Sequence, residues 1–512
     1  MSAPSEGEWY LHVRATDNAG NKSHSYAGPF RIDKSDPSIT LNSHASGDDL
    51  GNLDYSSLSF NGVASDNGGS GLNRVQANAS GARSTGWFNI DTGSPASWSY
   101  SYDFPEGDTR MHFRAIDNAG NISGTDYVDF TIDTVAPSIS ISPNSRGWDN
   151  SNISVTVDAS DGTSGIGNMY YKWTHGTSEP SSGWSSMNDG DSLTQSGNGT
   201  WYLHIHAYDN AGNRTHSYGG PYRVDKPNPT LTLNSHTHGD DLGYLTNNSL
   251  TFSGVADDTG GSGLNKVQAN GNGEYATGWF NIDTGSPSSW SYSKDFPEGD
   301  TRMYFRSVDS VGNTSNNRYV DFTIDTVAPS ISISPSSRGW DNSNASATVS
   351  LSDATSGIDN AYYKWTKSTT TPTSGWNTLS DGQTVSQDSN GQWYLHVKAY
   401  DNAGNRSDSY QGLYKVDKTT PTGSFNTASC AWTNDLPNIT YSGNSGISGN
   451  AAERFKITTS TAKPTSWNNT GNTNDSIAIE NSNFTRIQDK GDGVYYVHIE
   501  LEDHAGNVLY DM

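Results

Sequence analysis

Residues 207–213 read AYDNAGN, and the chain repeats this short pattern at five other places. The other copies read ATDNAGN at 15–21, AIDNAGN at 115–121, SVDSVGN at 307–313, AYDNAGN at 399–405 and LEDHAGN at 501–507. Glycine supplies the positive φ that a hairpin turn needs, and the side chains of aspartate and asparagine bond to the nearby backbone of a turn. The pattern therefore predicts that each copy is a turn between two β-strands.

The spacing of these turns divides the chain into repeats. Their aspartates are separated by 100, 92, 100, 92 and 102 residues, so the copies alternate within a larger period of 192 residues. Such an alternating period indicates two types of domain in tandem. A second marker pattern recurs with the same spacing and consists of an aspartate, three further residues and a proline. Proline has no N–H to donate to a sheet, so it suits a boundary between strands. The marker aspartates are Asp33, Asp133, Asp225, Asp325 and Asp417.

Cutting the chain at these markers gives six predicted domains. They are 1–33 (partial, the last two strands only), 37–133 (type 1), 137–225 (type 2), 229–325 (type 1), 329–417 (type 2) and 421–512 (diverged and C-terminally incomplete). Type 1 domains share DFPEGDTRM and GWFNIDTGSP, whereas type 2 domains share SRGWDNSN and YYKWT. Because both ends fall inside a domain, we expect either that the sequence is a piece of a longer protein or that partial domains of neighbouring chains complete one another.

Apolar and polar residues alternate within each domain. In WYLHIHAYD at 201–209, Leu203 and Ile205 fall on one face and His204 and His206 on the other, which is typical of a half-buried strand. About seven short strands per domain, separated by turn residues, favour an immunoglobulin-like β-sandwich. We therefore predict an all-β chain of tandem immunoglobulin-like β-sandwich domains in an extended rod.

The amino-acid composition argues against several classes of function. The chain has 512 residues and a net charge of −25, whereas proteins that bind nucleic acid or anionic membranes are expected to be basic. No run of 18 apolar residues is present, so no membrane insertion is predicted. The single cysteine, Cys430, excludes an internal disulfide framework. No repeated Ser/His/Asp arrangement, phosphate loop or HExxH motif occurs, so we predict that this segment is not an enzyme.

Strand direction predicts which turns meet. In an antiparallel sandwich of seven strands, the turns after the second, fourth and sixth strands all lie at the end where the chain enters. The AxDNAGN turn follows strand six, so its aspartate should lie close to the linker aspartate and to an aspartate of the turn after strand two. That second turn reads SDNGGSG, SDGTSG, DDTGGSG or SDATSG in the successive domains. The predicted triads are Asp33, Asp66 and Asp117; Asp133, Asp161 and Asp209; Asp225, Asp258 and Asp309; and Asp325, Asp353 and Asp401.

Three carboxylates that meet in this way repel one another and raise one another's pKa, and a hard cation cancels that cost. Calcium takes six to eight oxygen ligands, magnesium demands tighter geometry, and zinc favours histidine and cysteine, which do not recur here. We therefore predict Ca²⁺ at these junctions; the alternative is that the aspartates serve turn structure alone. At the fifth junction Asp417 and Asp503 are present, but Asn444 replaces the third aspartate, which predicts a weaker or absent site.

The AxDNAGN turn, followed by a linker such as VDKTTP at 416–421, resembles the tandem bacterial immunoglobulin-like domains of large surface adhesins and biofilm proteins. The resemblance implies long stalks, secreted to a bacterial surface and stiffened by calcium at domain junctions, and the family's junction aspartates would map onto the triads above. Similar repeats occur in surface-layer proteins, extracellular filaments and accessory modules of secreted enzymes. Expected partners are neighbouring domains, copies of the same protein, and a cell-surface or glycan ligand.

Aromatic residues support a rival interpretation, in which exposed tryptophan and tyrosine stack on sugars and the chain is an array of glycan-binding modules. Trp87, Trp98, Trp279 and Trp290 recur with the type 1 domain, and we favour core packing for them. Trp173 and Trp365, in the third strand of type 2, are predicted core tryptophans.

Two further groups have the chemistry of metal ligands. His204 and His206 share a strand face, but the pair does not recur in the other copies, and we interpret both as solvated surface residues. The paired aspartates in SGDDLG (46–51) and HGDDLG (238–243) could form a second cation site, but we favour an ordinary polar loop.

Overall fold

A computed structural model describes residues 5–93, 96–285, 288–426, 429, 439–469, 476–479 and 493–512. These residues form strands, turns and connecting segments, and no helix occurs among them, as predicted for an all-β chain. In particular, no described segment is a helix of the length and apolarity needed to cross a membrane. Cys430 lies outside the described residues.

The chain divides into two compact units. Unit 1 comprises Met1–Pro229, Asp258–Leu264 and Val308–Thr314. Unit 2 comprises Thr230–Asp257, Asn265–Ser307 and Ser315–Met512. The two short segments of unit 1 are turns that lie around Asp225, which is itself in unit 1.

Unit 1 begins with a hairpin and continues with two sets of eight strands. The hairpin is β1 (Gly7–Thr16) and β2 (Lys22–Ile32). The first set is β3 (Ser38–Leu41), β4 (Asp48–Leu53), β5 (Ser57–Ser65), β6 (Leu72–Gly81), β7 (Phe88–Thr92), β8 (Ser97–Asp103), β9 (Gly107–Asp117) and β10 (Asp126–Ile132). The second set is β11 (Ser138–Ser142), β12 (Arg146–Asp149), β13 (Ile153–Ser160), β14 (Ile166–Thr174), β15 (Ser185–Met187), β16 (Ser192–Gln195), β17 (Gly199–Asp209) and β18 (Arg214–Val224).

Unit 2 holds the remaining strands, except that the strand residues Leu264, Val308 and Asp309 belong to unit 1. The third set is β19 (Thr230–Leu233), β20 (Asp241–Leu245), β21 (Ser249–Asp257), β22 (Leu264–Gly273), β23 (Phe280–Thr284), β24 (Ser289–Asp295), β25 (Gly299–Asp309) and β26 (Arg318–Ile324). The fourth set is β27 (Ser330–Ser334), β28 (Arg338–Asp341), β29 (Ala345–Ser352), β30 (Ile358–Thr366), β31 (Asn377–Leu379), β32 (Thr384–Gln387), β33 (Gly391–Asp401) and β34 (Arg406–Val416). The last set is β35 (Thr422–Phe425), β36 (Ile439–Asn444), β37 (Asn450–Thr458), β38 (Asn468–Asn469), β39 (Ser476–Ile479), β40 (Tyr496–Asp503) and β41 (Val508–Asp511).

Each set of eight strands forms two sheets. In the first set the orders are β3-β5-β8 and β4-β10-β9-β6-β7, and the other three sets repeat these orders. The pairs given for these sheets are antiparallel, except that β4 runs parallel to β10, and the equivalent pairs β12–β18, β20–β26 and β28–β34 are parallel as well. Two such sheets with apolar inner faces make the sandwich that the alternating sequence predicts.

The number of strands differs from the prediction, which was about seven per domain. The additional strand is β4 and its equivalents, because the first segment of each domain pairs with one sheet as β3 and then with the other as β4. The strand that ends in YYKWT is consequently the fourth of its domain, and the AxDNAGN turn follows the seventh. The SDGTSG-type turn accordingly follows the third strand of its domain and not the second. It still meets the AxDNAGN turn, because both turns bond to the same linker aspartate.

The core lies between the two sheets of each domain. Phe60, Met111 and Phe113 are fully buried in the first set, where they pack with aromatic and aliphatic neighbours. Trp98 and Trp290 are each 3% exposed, which confirms their assignment to the core. Removing such side chains from water is the main favourable contribution to folding of each small domain.

Four other tryptophans are only half-buried. Trp173 and Trp365 pack against the core, with their rings at 5.5 and 5.0 Å from the buried rings of Tyr222 and Tyr414. Trp87 and Trp279 lie against arginine side chains, each with a guanidinium 4.0 Å from the indole ring. The recurring tryptophans are therefore accounted for by contacts within their own domains.

The prediction for His204 and His206 is wrong, because these residues are not on a solvated surface. His204 is 0% and His206 7% exposed, although they lie on the face of β17 opposite to the core. The physical reason is the segment 175–184, between β14 and β15, which folds over this outer face and stacks the Trp184 ring on His206 at 3.7 Å. Both faces of β17 are thus covered.

Candidate metal centres at the domain junctions

Each AxDNAGN turn is organised by its aspartate. In the third copy, Asp209 Oδ1 accepts the N–H groups of Gly212 at 2.7 Å and Asn213 at 2.9 Å, and Oδ2 accepts Asn213 Nδ2 at 2.8 Å. Gly212 has a φ of 104°, in the left-handed region that favours glycine. The motif therefore builds a turn, as predicted from its residue types.

The last asparagine of the turn has a second role that sequence reasoning missed. Asn213 Nδ2 also donates to the backbone carbonyl of the linker residue Asp133 at 2.7 Å. The same bond joins Asn121 to Asp33, Asn313 to Asp225, Asn405 to Asp325 and Asn507 to Asp417. The bond joins each linker to the domain that follows it. The sequence signal for this role was the presence of the asparagine in all six copies of the turn.

The linker aspartate is also held by the second turn, the one that carries SDGTSG or its equivalent. Asp133 Oδ2 accepts the N–H of Ser164 at 2.9 Å, and Asp161 Oδ1 accepts the N–H groups of Thr163, Ser164 and Gly165. The equivalent serine N–H to linker carboxylate bonds are Ser70 to Asp33, Ser262 to Asp225, Ser356 to Asp325 and Ser448 to Asp417. Linker, second turn and AxDNAGN turn therefore converge at every junction.

Convergence brings the predicted carboxylates together. In four groups, one oxygen from each of three aspartates lies within 4.8 Å of the others. The groups are Asp33, Asp66 and Asp117; Asp133, Asp161 and Asp209; Asp225, Asp258 and Asp309; and Asp325, Asp353 and Asp401. The geometry thus assembles all four triads from the residues that the spacing selected.

The electrostatics of the triads differ from the prediction in one respect. Hydrogen bonding from Ser70 lowers the pKa of Asp33. Burial opposes ionisation of Asp161, but the N–H groups of Thr163, Gly165 and Ser164 outweigh it and lower the pKa of this carboxyl as well. These two groups therefore do not show the raised pKa expected from like charges, because backbone donors stabilise the carboxylate form. Ionised carboxylates in close contact favour a cation.

The third triad contains a buried carboxylate oxygen without a partner. Linker aspartates elsewhere accept the N–H of the residue two positions later, as Asp133 does from Val135 at 3.2 Å. At this junction that residue is Pro227, which has no N–H, and Asp225 Oδ1 is buried with no hydrogen-bond partner among the described residues. A buried unpaired oxygen on a carboxylate is expensive. A bound cation would satisfy it, so the donor set fits a metal ion.

The fifth junction keeps several of these hydrogen bonds, and among the described residues two aspartates, not three, take part in it. Asn444 Oδ1 accepts the N–H of Gly446 at 2.9 Å, as Asp66 Oδ1 accepts that of Gly68 at 2.8 Å. Asp417 and Asp503 keep their bonds to Asn507, at 2.7 and 2.9 Å. The asparagine therefore reproduces the turn but removes one charge and one oxygen ligand.

The paired aspartates of SGDDLG and HGDDLG serve their own loops. Asp48 accepts the N–H of Ala45 at 2.7 Å, and Asp240 accepts that of Thr237 at 2.6 Å. Within the described part of the chain, neither pair belongs to a group of three potential metal ligands. The contacts are those of a polar loop, which was the favoured interpretation.

A comparison with protein families decides the relationship of this chain. The model of the bacterial Ig-like domain matches residues 31–134, 147–226 and 331–417, together more than half of the sequence. The chain belongs to the bacterial Ig-like domain family. The matched segments contain two of the four triads completely and parts of the other two. No curated protein matches the chain.

Solved structures with a similar fold share little sequence with this bacterial Ig-like chain. A Ca²⁺-stabilised adhesin with which an Antarctic bacterium binds ice is 16% identical, covers 75% of this chain and 100% of its own, and has a TM-score of 0.29. A 1.5-MDa bacterial ice-binding adhesin is 17% identical over 57% of this chain and 98% of its own, with a TM-score of 0.25. Fibronectin(III)-like modules of Clostridium thermocellum CbhA are 17% identical over 37% of this chain and 94% of their own, with a TM-score of 0.21. These scores are too low to support a functional inference.

Proposed function

We propose that this chain is a segment of a calcium-stiffened stalk or filament at a bacterial cell surface. The observation that supports the proposal is the repetition of an aspartate triad at four successive linkers between Ig-like β-sandwiches. Each triad joins one linker aspartate to two aspartates of the following domain. A cation bound there would connect linker and domain at every step.

The chemistry of the donors favours Ca²⁺. Every side chain of the triads offers carboxylate oxygens, and calcium takes six to eight oxygen ligands, some of them from bidentate carboxylates. Three carboxylates provide up to six oxygens, and several of those oxygens already accept N–H groups that fix their positions. Magnesium retains more water in its shell, and zinc favours nitrogen and sulfur ligands.

A bound ion would stiffen the chain because it changes the interaction between each linker and the domain that follows it. The asparagine and serine bonds to the linker aspartate hold it in place without metal, but the three carboxylates then repel one another. Repulsion between the linker and the next domain favours bending of the junction. A divalent cation replaces this repulsion with attraction, and a tandem array whose domains contact only their neighbours becomes stiffer at each junction.

The rest of the proposal concerns location and partners. The acidic charge of −25 is compatible with secretion and with cation binding, and bacterial Ig-like domains suit a protein outside the cell. The stalk would present a ligand-binding part elsewhere in a longer protein to a cell surface or a glycan. In this role the segment itself spans distance and performs no catalysis.

Calcium titration of the full chain by calorimetry tests the proposal, and we expect four sites. Asp161→Asn should reduce the number to three. This variant leaves the turn intact, because all three N–H groups bond to Oδ1 of Asp161 and none to Oδ2. Asn444→Asp should raise the number to five, because it completes the triad with Asp417 and Asp503.

Small-angle X-ray scattering then measures the mechanical consequence. In saturating calcium we expect a larger maximum dimension than in excess chelator, because the junctions bend when the carboxylates repel. The Asp161→Asn chain in calcium should be intermediate. Superimposable curves with and without calcium, or a stoichiometry that the two variants leave unchanged, would show that the aspartates serve turn structure alone.

A further inference from the structure

A cluster of two histidines and a glutamate lies on the outer face of the second sandwich. His206 is on β17, His216 is on β18, and Glu179 is in the covering segment 175–184. His206 Nε2 is 2.8 Å from Glu179 Oε1, and His216 Nδ1 is 3.5 Å from Glu179 Oε2. One ligand atom from each of the three residues lies within 4.8 Å of the others.

The direction of the hydrogen bonds behind this cluster is set by a backbone carbonyl. His204 Nε2 lies 2.9 Å from the carbonyl oxygen of Gly176, which can only accept, so this nitrogen carries the proton. His204 Nδ1 is then an acceptor, and it receives the proton of His216 Nε2, 3.2 Å away. His216 Nδ1 is consequently left with a lone pair that faces the carboxylate of Glu179.

The same histidine orientation recurs elsewhere in the chain. His396 Nε2 bonds to the carbonyl oxygen of Ser368 at 2.8 Å, and His498 Nε2 to that of Ser460 at 2.9 Å. In the last domain, His498 Nδ1 is 2.6 Å from the hydroxyl of Tyr510, a group that can donate to it. The tautomer with its proton on Nε2 is therefore a regular feature of this position.

A lone pair and a carboxylate that face each other need a cation between them. A proton on His216 Nδ1 is one solution, and a metal ion that also contacts His206 Nε2 is the other. The Arg214 guanidinium lies 3.2 Å from Glu179 Oε1 and offsets part of the carboxylate charge. The arrangement of two imidazole nitrogens and one carboxylate is a ligand set that zinc prefers.

We propose that Glu179, His206 and His216 bind a zinc ion. Ligand atoms around a tetrahedral zinc are about 3.3 Å apart when the bonds are near 2.0–2.1 Å, and the two separations given above bracket this value. Glu179 is 38% exposed on its side chain, which provides a route for the ion and a fourth position for water. His204 acts as the outer partner that orients the His216 ring.

Zinc would fasten the segment 175–184 to the hairpin of β17 and β18. This segment already packs on the sheet through Trp184, whose ring stacks on His206. A metal bond from Glu179 to both strands adds a link that does not depend on the aspartate triads. The site is therefore independent of the proposed calcium function.

The equivalent domain at 329–417 shows that the fold does not require this cluster. Counting the 192-residue repeat, Thr371, Lys398 and Asp408 replace the glutamate and the two histidines. Lys398 Nζ lies 4.7 Å from the ring of Trp376, and Asp408 pairs with Arg406 at 2.6 Å. Because the same covering segment is kept without the cluster, packing alone does not explain the three residues.

Exchange of these residues between the two domains tests the proposal. The triple variant E179T/H206K/H216D takes its side chains from a domain of the same fold, and the reverse variant T371E/K398H/D408H installs the cluster there. Zinc binding is measured by calorimetry on the full chain in saturating calcium, so that the triads are filled. Cobalt titration followed by visible absorption reports whether the ion is tetrahedral.

We expect one strong zinc site in the wild-type chain, none in the first variant and two in the reverse variant. The cobalt spectrum should show intense bands of tetrahedral coordination that are lost in the first variant. Circular dichroism of both variants checks that the sheets are retained. A zinc stoichiometry that does not change with the exchange, or the absence of zinc binding by the wild-type chain, would overturn the proposal.

Discussion

Removal of calcium is expected to lower the free energy of unfolding of each domain that carries a complete triad, by about 2.7 kcal/mol if the initial calcium concentration is one hundred times the dissociation constant. The physical reason is that, on the proposed function, the ion would bind the folded junction and not the unfolded chain, so it would stabilise the folded state by mass action. Chelation also leaves three carboxylates in contact without a counter-ion.

Hydrogen exchange followed by mass spectrometry measures this effect domain by domain. A chain of several domains does not unfold in one two-state step, so a single melting temperature is not informative. We expect faster exchange in chelator for peptides that contain the turns at 115–121, 207–213, 307–313 and 399–405. The loss of protection should be largest near 307–313, because the unpaired Asp225 Oδ1 makes that junction the most dependent on a cation.

The chain contains its own control for this measurement. The fifth junction has the same hydrogen bonds around Asp417 but carries Asn444 in place of an aspartate, so protection of 501–507 should change little on chelation. Asp161→Asn should make 207–213 in calcium resemble the wild type in chelator. Equal changes at all five junctions would indicate a general effect of calcium on the acidic chain and not binding at the triads.

The sequence predicted the junctions because the features that build them are local and repeated. An aspartate before glycine in a turn has few structural roles, and its period located the linkers. Strand direction in the predicted seven-stranded sandwich then indicated which second turns meet them. The position of each aspartate within the repeat then selected the three members of each triad. The roles of Asn213 and Ser164 were not predicted, although their positions recur, because a bond from a turn to a linker carbonyl requires the path of the chain.

Two features depended on tertiary structure and were missed for that reason. Strand β4 pairs in parallel with β10, and such a long-range pair leaves no periodic pattern in a short stretch of residues. The burial of His204 and His206 depends on the segment 175–184, which covers a strand face that alternation alone assigns to solvent. A signal was available for His204: a histidine five residues before the turn aspartate recurs as His12, His396 and His498.

Replacement of Asp209 by alanine is expected to destabilise its domain by about 3 kcal/mol, because it removes the acceptor of three hydrogen bonds at a residue that is only 4% exposed. The N–H groups of Gly212 and Asn213 and the amide of Asn213 all lose their bonds to this carboxylate. The Asn213 amide would keep only its bond to the carbonyl of Asp133. Urea unfolding, read from the domain's exchange-protected peptides, gives the change in free energy.

Chelator separates the turn role of Asp209 from its role as a metal ligand. Because the lost hydrogen bonds do not involve calcium, most of the effect of Asp209→Ala should persist in chelator, whereas the effect of Asp161→Asn should disappear there. Asp17→Ala is the matched control, because Asp17 also accepts three hydrogen bonds, two from Asn21 and one from the N–H of Ala19. Its turn is exposed, so water replaces these bonds, and the change should stay below about 1 kcal/mol. If Asp209→Ala were as mild as Asp17→Ala in chelator, the buried turn bonds would contribute little, and metal binding alone would explain the repeated aspartate.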